Sequence, residues 1–289
     1  MTMRVGFVGL GAMGAPMASR MARAGFEVLA YNRTRREVAV DPARVVARLD
    51  DAVADADVVC LMVSDAEAVE SVLFDQGAAQ RMRRGAVLVN FSTIGVSETE
   101  RFALRMADLG VEWVDAPVSG SVQPAREGKL VVLAGGSEAA VRRVRPLLDA
   151  VARSVHHLGP VGSGAAMKLL VNGYLALVVA GASECLAMAD KLGLGRERLL
   201  AVLSETSTWS PVLGGKREMW ERDEFPASFA LKHMAKDLNL LRTLAHERTA
   251  ALPLAAAAHT LYLASCAHGL ADADMAAVFR QLAETVGSR

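Results

Sequence analysis

The sequence is poor in the features that mark several common classes of protein. It has three cysteines, Cys60, Cys185 and Cys266, which are far apart and odd in number. No CxxC or Cys/His ligand spacing accompanies them, so neither a disulfide framework nor a structural zinc site is expected. Such thiol usage favours a reducing compartment, and a cytoplasmic location is the expectation. The six histidines show no HExxH or other helical ligand spacing, so no metal site is expected. His156 and His157 are adjacent near an expected strand end and read as structural. A GxSxG nucleophile elbow is missing too, since GASEC at 181–185 lacks the second glycine. Neither sign of charge is in surplus, with 32 Lys plus Arg against 32 Asp plus Glu. General nucleic-acid binding needs a basic excess, and an aromatic content of 5% offers no platform for stacked bases. No repeat of 20–50 residues and no low-complexity linker is visible.

Hydrophobic residues are plentiful, at 52% of 289, enough for two domains with sizeable cores. The opening MTMRVGFVGLGAMG has the apolar run of a secretory leader but no cleavage-like site, and its glycines have a better explanation below. Leu169–Ala189 has the length of a membrane span. Lys168, Asn172, Ser183 and Glu184 open or interrupt it, and a buried helix at a domain or subunit junction is the expectation instead.

The first half alternates. Short β-rich runs occur at Val5–Leu10, Val28–Tyr31, Val58–Val63, Ala86–Phe91, Trp113–Val118 and Leu130–Ala134. Helical spacing lies between most of them, as in Met13–Ala24 and Val96–Leu109. Apolar strand runs without clean alternation, separated by helices, point to a parallel sheet covered on both faces. Beyond about residue 160, Arg196–Glu205, Leu231–Arg248, Pro253–His268 and Asp274–Glu284 have helical spacing and no convincing strand remains. The alanines of Ala255–Ala258 suit a helix rather than a linker. The expected organisation is an α/β domain over residues 1–162 and an all-α domain over 163–289, joined by a long helix at about 164–191. Trp209, Trp220, Phe225 and Phe229 cluster between two expected helices and read mainly as packing, though one could wall a substrate.

VGFVGLGAMG carries GxGxxG as Gly9, Gly11 and Gly14, after an expected strand and at the opening of a helix. In that context the glycines give a tight turn, close backbone approach to a pyrophosphate, and helix–strand packing. A plain glycine turn explains the glycines but not their setting. A dinucleotide site usually has an acid at the end of the second strand for the ribose 2′-hydroxyl. Here the text is YNRTRRE, with Asn32 in the acid's place and Arg33, Thr34, Arg35 and Arg36 following. A carboxylate repels a 2′-phosphate and an arginine holds it, so NADP is expected to be preferred, with NAD possible. A solvated basic loop is the alternative. Loops ending the later strands, Ser64–Asp65, Asn90–Thr93 and Pro117–Ser121, should face the same crevice. Their serines and threonines can also be ordinary turn formers.

Three features could converge with Lys168. The turn Ser119-Gly120-Ser121 offers hydroxyls and amide N–H groups to a carboxylate, or is simply a turn. Asn172 lies one turn after the lysine on the same helical face. FALKHMAKDLNLL places Lys232, Lys236 and Asp237 on one helix, with the two lysines sharing a face that would otherwise be merely solvated.

GFVGLGAMGAPMA, DAPVSGS with the later EGKL, GSGAAMKLLVN and KHMAKDL together resemble the β-hydroxyacid dehydrogenase family, which includes the 3-hydroxyisobutyrate dehydrogenases. The resemblance spans essentially the whole chain. It implies an N-terminal Rossmann domain with a doubly wound parallel sheet, a long interdomain helix and an all-helical C-terminal domain that forms a homodimer or homotetramer. It implies that Lys168 is catalytic and that Asn172 places the substrate. Ser119, Gly120 and Ser121 would bind the carboxylate of a small substrate. Leu10, Ala12 and Met13 within the glycine loop, Val63, Ser64, Thr93 and Lys236 would join Gly9, Gly11, Gly14, Asn32, Arg33 and Thr34 around the cofactor. YNRT, PVSGSxxPAxxGxL and FxLKHxxKD look closest to the glyoxylate and succinic semialdehyde reductases, a branch that adds Phe229 and Asp237 to the site. Ser121 and Pro124 replace the glycine-rich text of the hydroxyisobutyrate enzymes. Lys168 and Asn172 argue against imine reductase activity and against a nucleotide-binding scaffold without turnover. In this reading Lys168 faces the nicotinamide rather than lipid or core, and partial burial suits an amine to acid–base work.

Overall fold

The computed structural model describes residues 3–34, 38 and 40–287. Contacts divide the chain into two compact units, Met1–Lys168 and Leu169–Arg289.

The first unit opens with β1 (Arg4–Val8), α1 (Gly14–Arg23) and β2 (Glu27–Tyr31). A two-residue strand β3 (Arg44–Val45) and a short helix α2 (Leu49–Val53) lead to β4 (Val58–Leu61). Helix α3 (Ala66–Glu70) runs on as a π turn at Ser71–Asp75, followed by α4 (Ala78–Arg81), β5 (Val87–Asn90), α5 (Val96–Asp108) and β6 (Glu112–Asp115). These six strands form one parallel sheet in the order β3-β2-β1-β4-β5-β6, with the order reversing between β1 and β4. Successive strand residues enter different cores. Phe7, Val28, Cys60 and Val89 pack on one face, and Val8, Val59, Leu61 and Leu88 on the other. Burial on both faces explains strands that read as unbroken apolar runs. It also holds the Cys60 thiol protonated, its pKa pushed well above the usual thiol range, and so unreactive.

A second sheet completes this unit. It contains β7 (Val118–Ser119), β8 (Leu130–Ala134) and β9 (Ala152–His157), with α6 (Val122–Glu127) and α7 (Glu138–Asp149) between them. β7 is antiparallel and β9 parallel to β8. Two expectations change here. The run Trp113–Val118 is two strands in different sheets, and Leu130–Ala134 belongs to the second sheet rather than the parallel one. Pro117, which has no N–H for a ladder, lies at the break, while its carbonyl accepts from Leu133 N at 3.0 Å.

The second unit holds α8 (Ser163–Lys191) from Leu169 onward, with α9 (Arg196–Ser204), α10 (Pro211–Arg222), α11 (Leu231–Glu247), α12 (Pro253–Ser265) and α13 (Val278–Gly287). Its core gathers Leu169, Ala176, Val179, Leu186, Trp220, Leu231, Met234, Leu238, Tyr262 and Val278. By length and composition α8 could cross a membrane, yet those of its residues belong to this core. The helix expected at Pro253–His268 ends at Ser265, and a π turn at Cys266–Leu270 follows, closed by Gly269 at φ 84°. A 3-10 turn, Met275–Ala277, begins the last helical stretch, capped by the Asp274 carboxylate. The segment holding the four aromatics contains a helix of its own, α10, which carries Trp220 fully buried.

Candidate active site

Ligands of doubly wound sheets bind beyond the carboxyl ends of the strands, where the order reverses. In the first unit that edge carries the loop after β1. Gly9 has φ 100°, and a Cβ there would lie 2.2 Å from Met62 O. Gly14 starts α1, and a Cβ on it would lie 1.9 Å from Gly9 O. At Gly11 a Cβ would meet nothing within 4 Å. The outer two glycines are thus required by packing, while the middle one leaves free space beside the N-terminus of a ten-residue helix. That is the form a pyrophosphate needs, with Leu10, Ala12 and Met13 supplying the rest of the loop.

The loop after β2 is tied to this one. Asn32 Oδ1 accepts from Leu10 N at 3.0 Å, and its Nδ2 donates to Thr34 O at 2.8 Å. A neutral amide therefore bridges the two loops where an acid usually stands. Arg33 and Thr34 are exposed beside it; Arg35 and Arg36 lie outside the described residues. The loops after β4 and β5 are joined likewise. Ser92 Oγ accepts from Val63 N at 2.9 Å, and Asn90 Oδ1 accepts from Ser92 N at 3.1 Å. Val63, Ser64 and Thr93 thus sit on two connected loops at the carboxyl edge.

The proposed carboxylate seat follows β6. Ser119 ends β7, Gly120 has φ 133°, and Ser121 precedes α6 without capping it through its side chain. A side chain at Gly120 would press on Leu130 Cδ2 at 2.8 Å, so the turn is strained for any other residue.

Lys168 lies in the second turn of α8 and is only 8% exposed. In the first unit the start of this helix is anchored by Asp115, at the end of β6. Its Oδ1 accepts from Gly162 N at 2.9 Å and its Oδ2 from Ala165 N at 2.8 Å. Burial pushes its carboxyl up to about 6, although these amide hydrogen bonds pull the other way. Asp115 escaped the sequence reading, although an acid inside an apolar strand run is itself a signal.

In the second unit Asn172 is 2% exposed, and its Nδ2 donates to Asp237 Oδ2 at 2.6 Å. Lys236 Nζ lies 3.0 Å from Asp237 Oδ1, a charge contact only, since that oxygen has no hydrogen-bond partner. Gly173 lets this happen. A Cβ there would lie 2.4 Å from Leu241 Cδ2, so α8 and α11 approach closely beside Asn172. Phe229 stands just before α11 with its ring 6.2 Å from that of His233. Asn172, Lys236 and Asp237, separated by up to 65 residues, are thus one cluster. Lys232 does not join it and pairs with Asp272 at 2.6 Å on the surface. Among the described residues no group of three or more His, Cys, Asp or Glu is placed to hold a metal ion.

Two family models cover nearly the whole chain. The NAD binding domain of 6-phosphogluconate dehydrogenase matches residues 4–159, and the NAD-binding domain of NADP-dependent 3-hydroxyisobutyrate dehydrogenase matches 162–282. Glyoxylate/succinic semialdehyde reductase 1 of Arabidopsis thaliana is 33% identical over 96% of this chain and 97% of its own. The structure of 3-hydroxyisobutyrate dehydrogenase from Mycobacterium tuberculosis with L-serine matches with a TM-score of 0.87 at 30% identity, covering 98% and 99% of the two chains. Psf3 in complex with NADP+ and 2-OPP matches with a TM-score of 0.85 at 25% identity, covering 96% and 99%. Glycine loop, two-unit fold and full-length likeness agree: the chain belongs to the β-hydroxyacid dehydrogenase family and is a nicotinamide-dependent oxidoreductase acting on a CH–OH group.

Proposed function

We propose that the protein is an NADP-dependent reductase of small aldehyde acids, of the glyoxylate or succinic semialdehyde kind, with Lys168 as general acid and base. The observation that carries this reading is the buried ammonium of Lys168 on α8, one turn from Asn172, whose amide is fixed by Asp237. The nicotinamide supplies the hydride in reduction and takes it in oxidation. The Lys168 ammonium hydrogen-bonds the carbonyl oxygen and gives it a proton as the carbon gains hydride, leaving an alcohol and a neutral amine. In the other direction the amine takes the hydroxyl proton. Ser119, Gly120 and Ser121 hold the carboxylate, while Asn172, Asp237 and Phe229 orient the rest of the substrate. Gly9–Gly14, Val63, Ser64, Thr93 and Lys236 hold the dinucleotide.

NADP is favoured over NAD because a neutral Asn32 bridges the first two loops and Arg33 is exposed beside it. Losing a charge-assisted contact costs roughly 1.5–3 kcal/mol, or about 10- to 150-fold in affinity. Arg33→Ala should lower kcat/KM with NADPH by that factor and leave NADH almost unaffected. Equal use of both cofactors by the wild type would remove this preference. Exposed Leu170, Tyr174 and Met188 on α8 support a homo-oligomer formed through the helical unit, which light scattering would detect.

Loss of NADPH absorbance with glyoxylate, succinic semialdehyde and 3-hydroxyisobutyrate's semialdehyde tests the substrate directly. The first two should give the higher kcat/KM. A clear preference for the branched semialdehyde would assign the chain to the hydroxyisobutyrate dehydrogenases instead. Ser119→Ala should raise KM for these acids more than it lowers kcat.

A further inference from the structure

We propose that Asp115 is a positioning residue for Lys168: its buried carboxylate holds the amides that begin α8 and so fixes the turn from which the lysine projects. The inference rests on Lys168 being the proton donor.

Asp115 is 2% exposed and sits at a junction within the first unit. Its backbone pairs with Asn90 of β5 through the parallel register, and with Gly135 through an antiparallel bridge, linking the end of β6 to the residue after β8. Its N donates to Gly135 O at 3.0 Å, and its O accepts from Gly135 N at 2.7 Å. From that fixed point the two carboxylate oxygens take the N–H groups of Gly162 and Ala165. The first amides of a helix have no partner within it, and a carboxylate satisfies them while complementing the helix dipole.

The packing around the carboxylate leaves it no freedom. A Cβ at Gly135 would lie 2.8 Å from both of its oxygens, and one at Gly164 would lie 2.9 Å from Oδ2 and 2.3 Å from Leu133 O. Two glycines, 29 positions apart, are therefore needed so that this one side chain can reach the helix. Lys168 follows Ala165 by three residues on the same helix, so the direction of its side chain is set by the turn that Asp115 holds.

The groups facing Asp115 are backbone amides, with Asn90 alongside on β5 and Glu100 of α5 next to Gly162. Its negative charge lies at the start of α8, on the amides of Gly162 and Ala165, and favours an ammonium on the following turn. Asp115→Asn keeps the shape, removes the charge and turns one acceptor into a donor facing amide donors.

The test is the pH profile of NADPH-dependent reduction for wild type, Asp115→Asn, Lys168→Ala and the double variant, with NADPH affinity measured by fluorescence. Asp115→Asn should lower kcat by roughly 10-fold or more. Its alkaline limb, which reports loss of the Lys168 proton, should move down by about half a pH unit, because a nearby anion no longer stabilises the ammonium. NADPH affinity should stay within about 2-fold. In the Lys168→Ala background the same substitution should cost almost nothing more, since Asp115 acts through the lysine. A wild-type limb and rate in Asp115→Asn, or full additivity with Lys168→Ala, would overturn the proposal. Full activity in Lys168→Ala would instead sink the catalytic reading beneath it. Asp115→Ser, whose hydroxyl can still accept one amide without charge, is the second variant and should move the limb likewise. Failure of both variants to fold would make Asp115 scaffold and overturn the proposal too.

Discussion

Gly9, Gly11 and Gly14 look alike in the sequence, and space separates them in the structure. Gly9 and Gly14 are held by backbone within 2.2 Å of where a Cβ would stand, whereas Gly11 has open space. Gly11→Ala should therefore fold with an unchanged thermal midpoint and lose roughly 10-fold or more in NADPH affinity, about 1.4 kcal/mol. Gly14→Ala should lose stability instead. The reverse pattern, a destabilised but tightly binding Gly11→Ala, would remove the pyrophosphate from this loop. The motif's position was legible in the residues, because its strand and helix flank it within a few positions. The Asn32 bridge was less so: an amide in the acid's place suggested what it does not bind, while its tie to Leu10 is a contact across 22 residues.

The elements differ in how much of themselves they announce. β1, β2, β4 and β5 are apolar runs and were expected within two residues or so of where they lie. The last strand, β9, reads ARSVHH with its side chains partly or fully exposed, so no apolar run marked its extent, although a strand end was expected near His156 and His157. α10 was hidden by Gly214 and Gly215 inside it. It brings Lys216 to a place no spacing could show. Lys216 Nζ contacts Asp274 Oδ1 at 2.6 Å and Oδ2 at 2.7 Å, across 58 residues, with both side chains buried. Asp274 also accepts from Ser228 N and Phe229 N, at 3.0 and 3.1 Å, and so anchors the loop before α11. Burial pushes its carboxyl up, but the ammonium and these hydrogen bonds outweigh it and the net direction is down. Its contribution to stability is therefore present above the usual carboxylate range and lost as pH falls through the lowered folded value. Lys216→Met should cost about 3–5 kcal/mol, because it leaves a buried charge unpaired. The pH dependence should change as well. With the ammonium gone the folded carboxyl rises, so the variant should lose less stability than the wild type as pH is lowered from 7 towards 4. Thermal midpoints of both proteins across that range check this; parallel curves would contradict it. Lys216→Met with Asp274→Leu should recover most of the loss.

At the scale of the whole molecule, the order of elements was readable and the meetings of distant residues were not. An α/β half followed by a helical half was evident from the change of period near residue 160, and the two family models fall on the same halves. The cluster of Asn172, Lys236 and Asp237, the Asp115 anchor and the Lys216–Asp274 pair all depend on tertiary contacts 47 or more residues apart, apart from the adjacent Lys236–Asp237 contact. The residue to which the proposed chemistry is assigned is the buried lysine of the longest helix, Lys168. Steady-state reduction of glyoxylate and succinic semialdehyde by Lys168→Met, Lys168→Arg and wild type tests that lysine most directly, with NADPH affinity titrated separately. Both variants should bind NADPH normally and lose roughly 10²- to 10⁴-fold in kcat, since methionine has no proton to give and a guanidinium scarcely releases one. Rescue by arginine would reduce Lys168 to a charge that binds substrate, and a Lys168→Met enzyme that turns over at the wild-type rate would contradict the proton-transfer role outright.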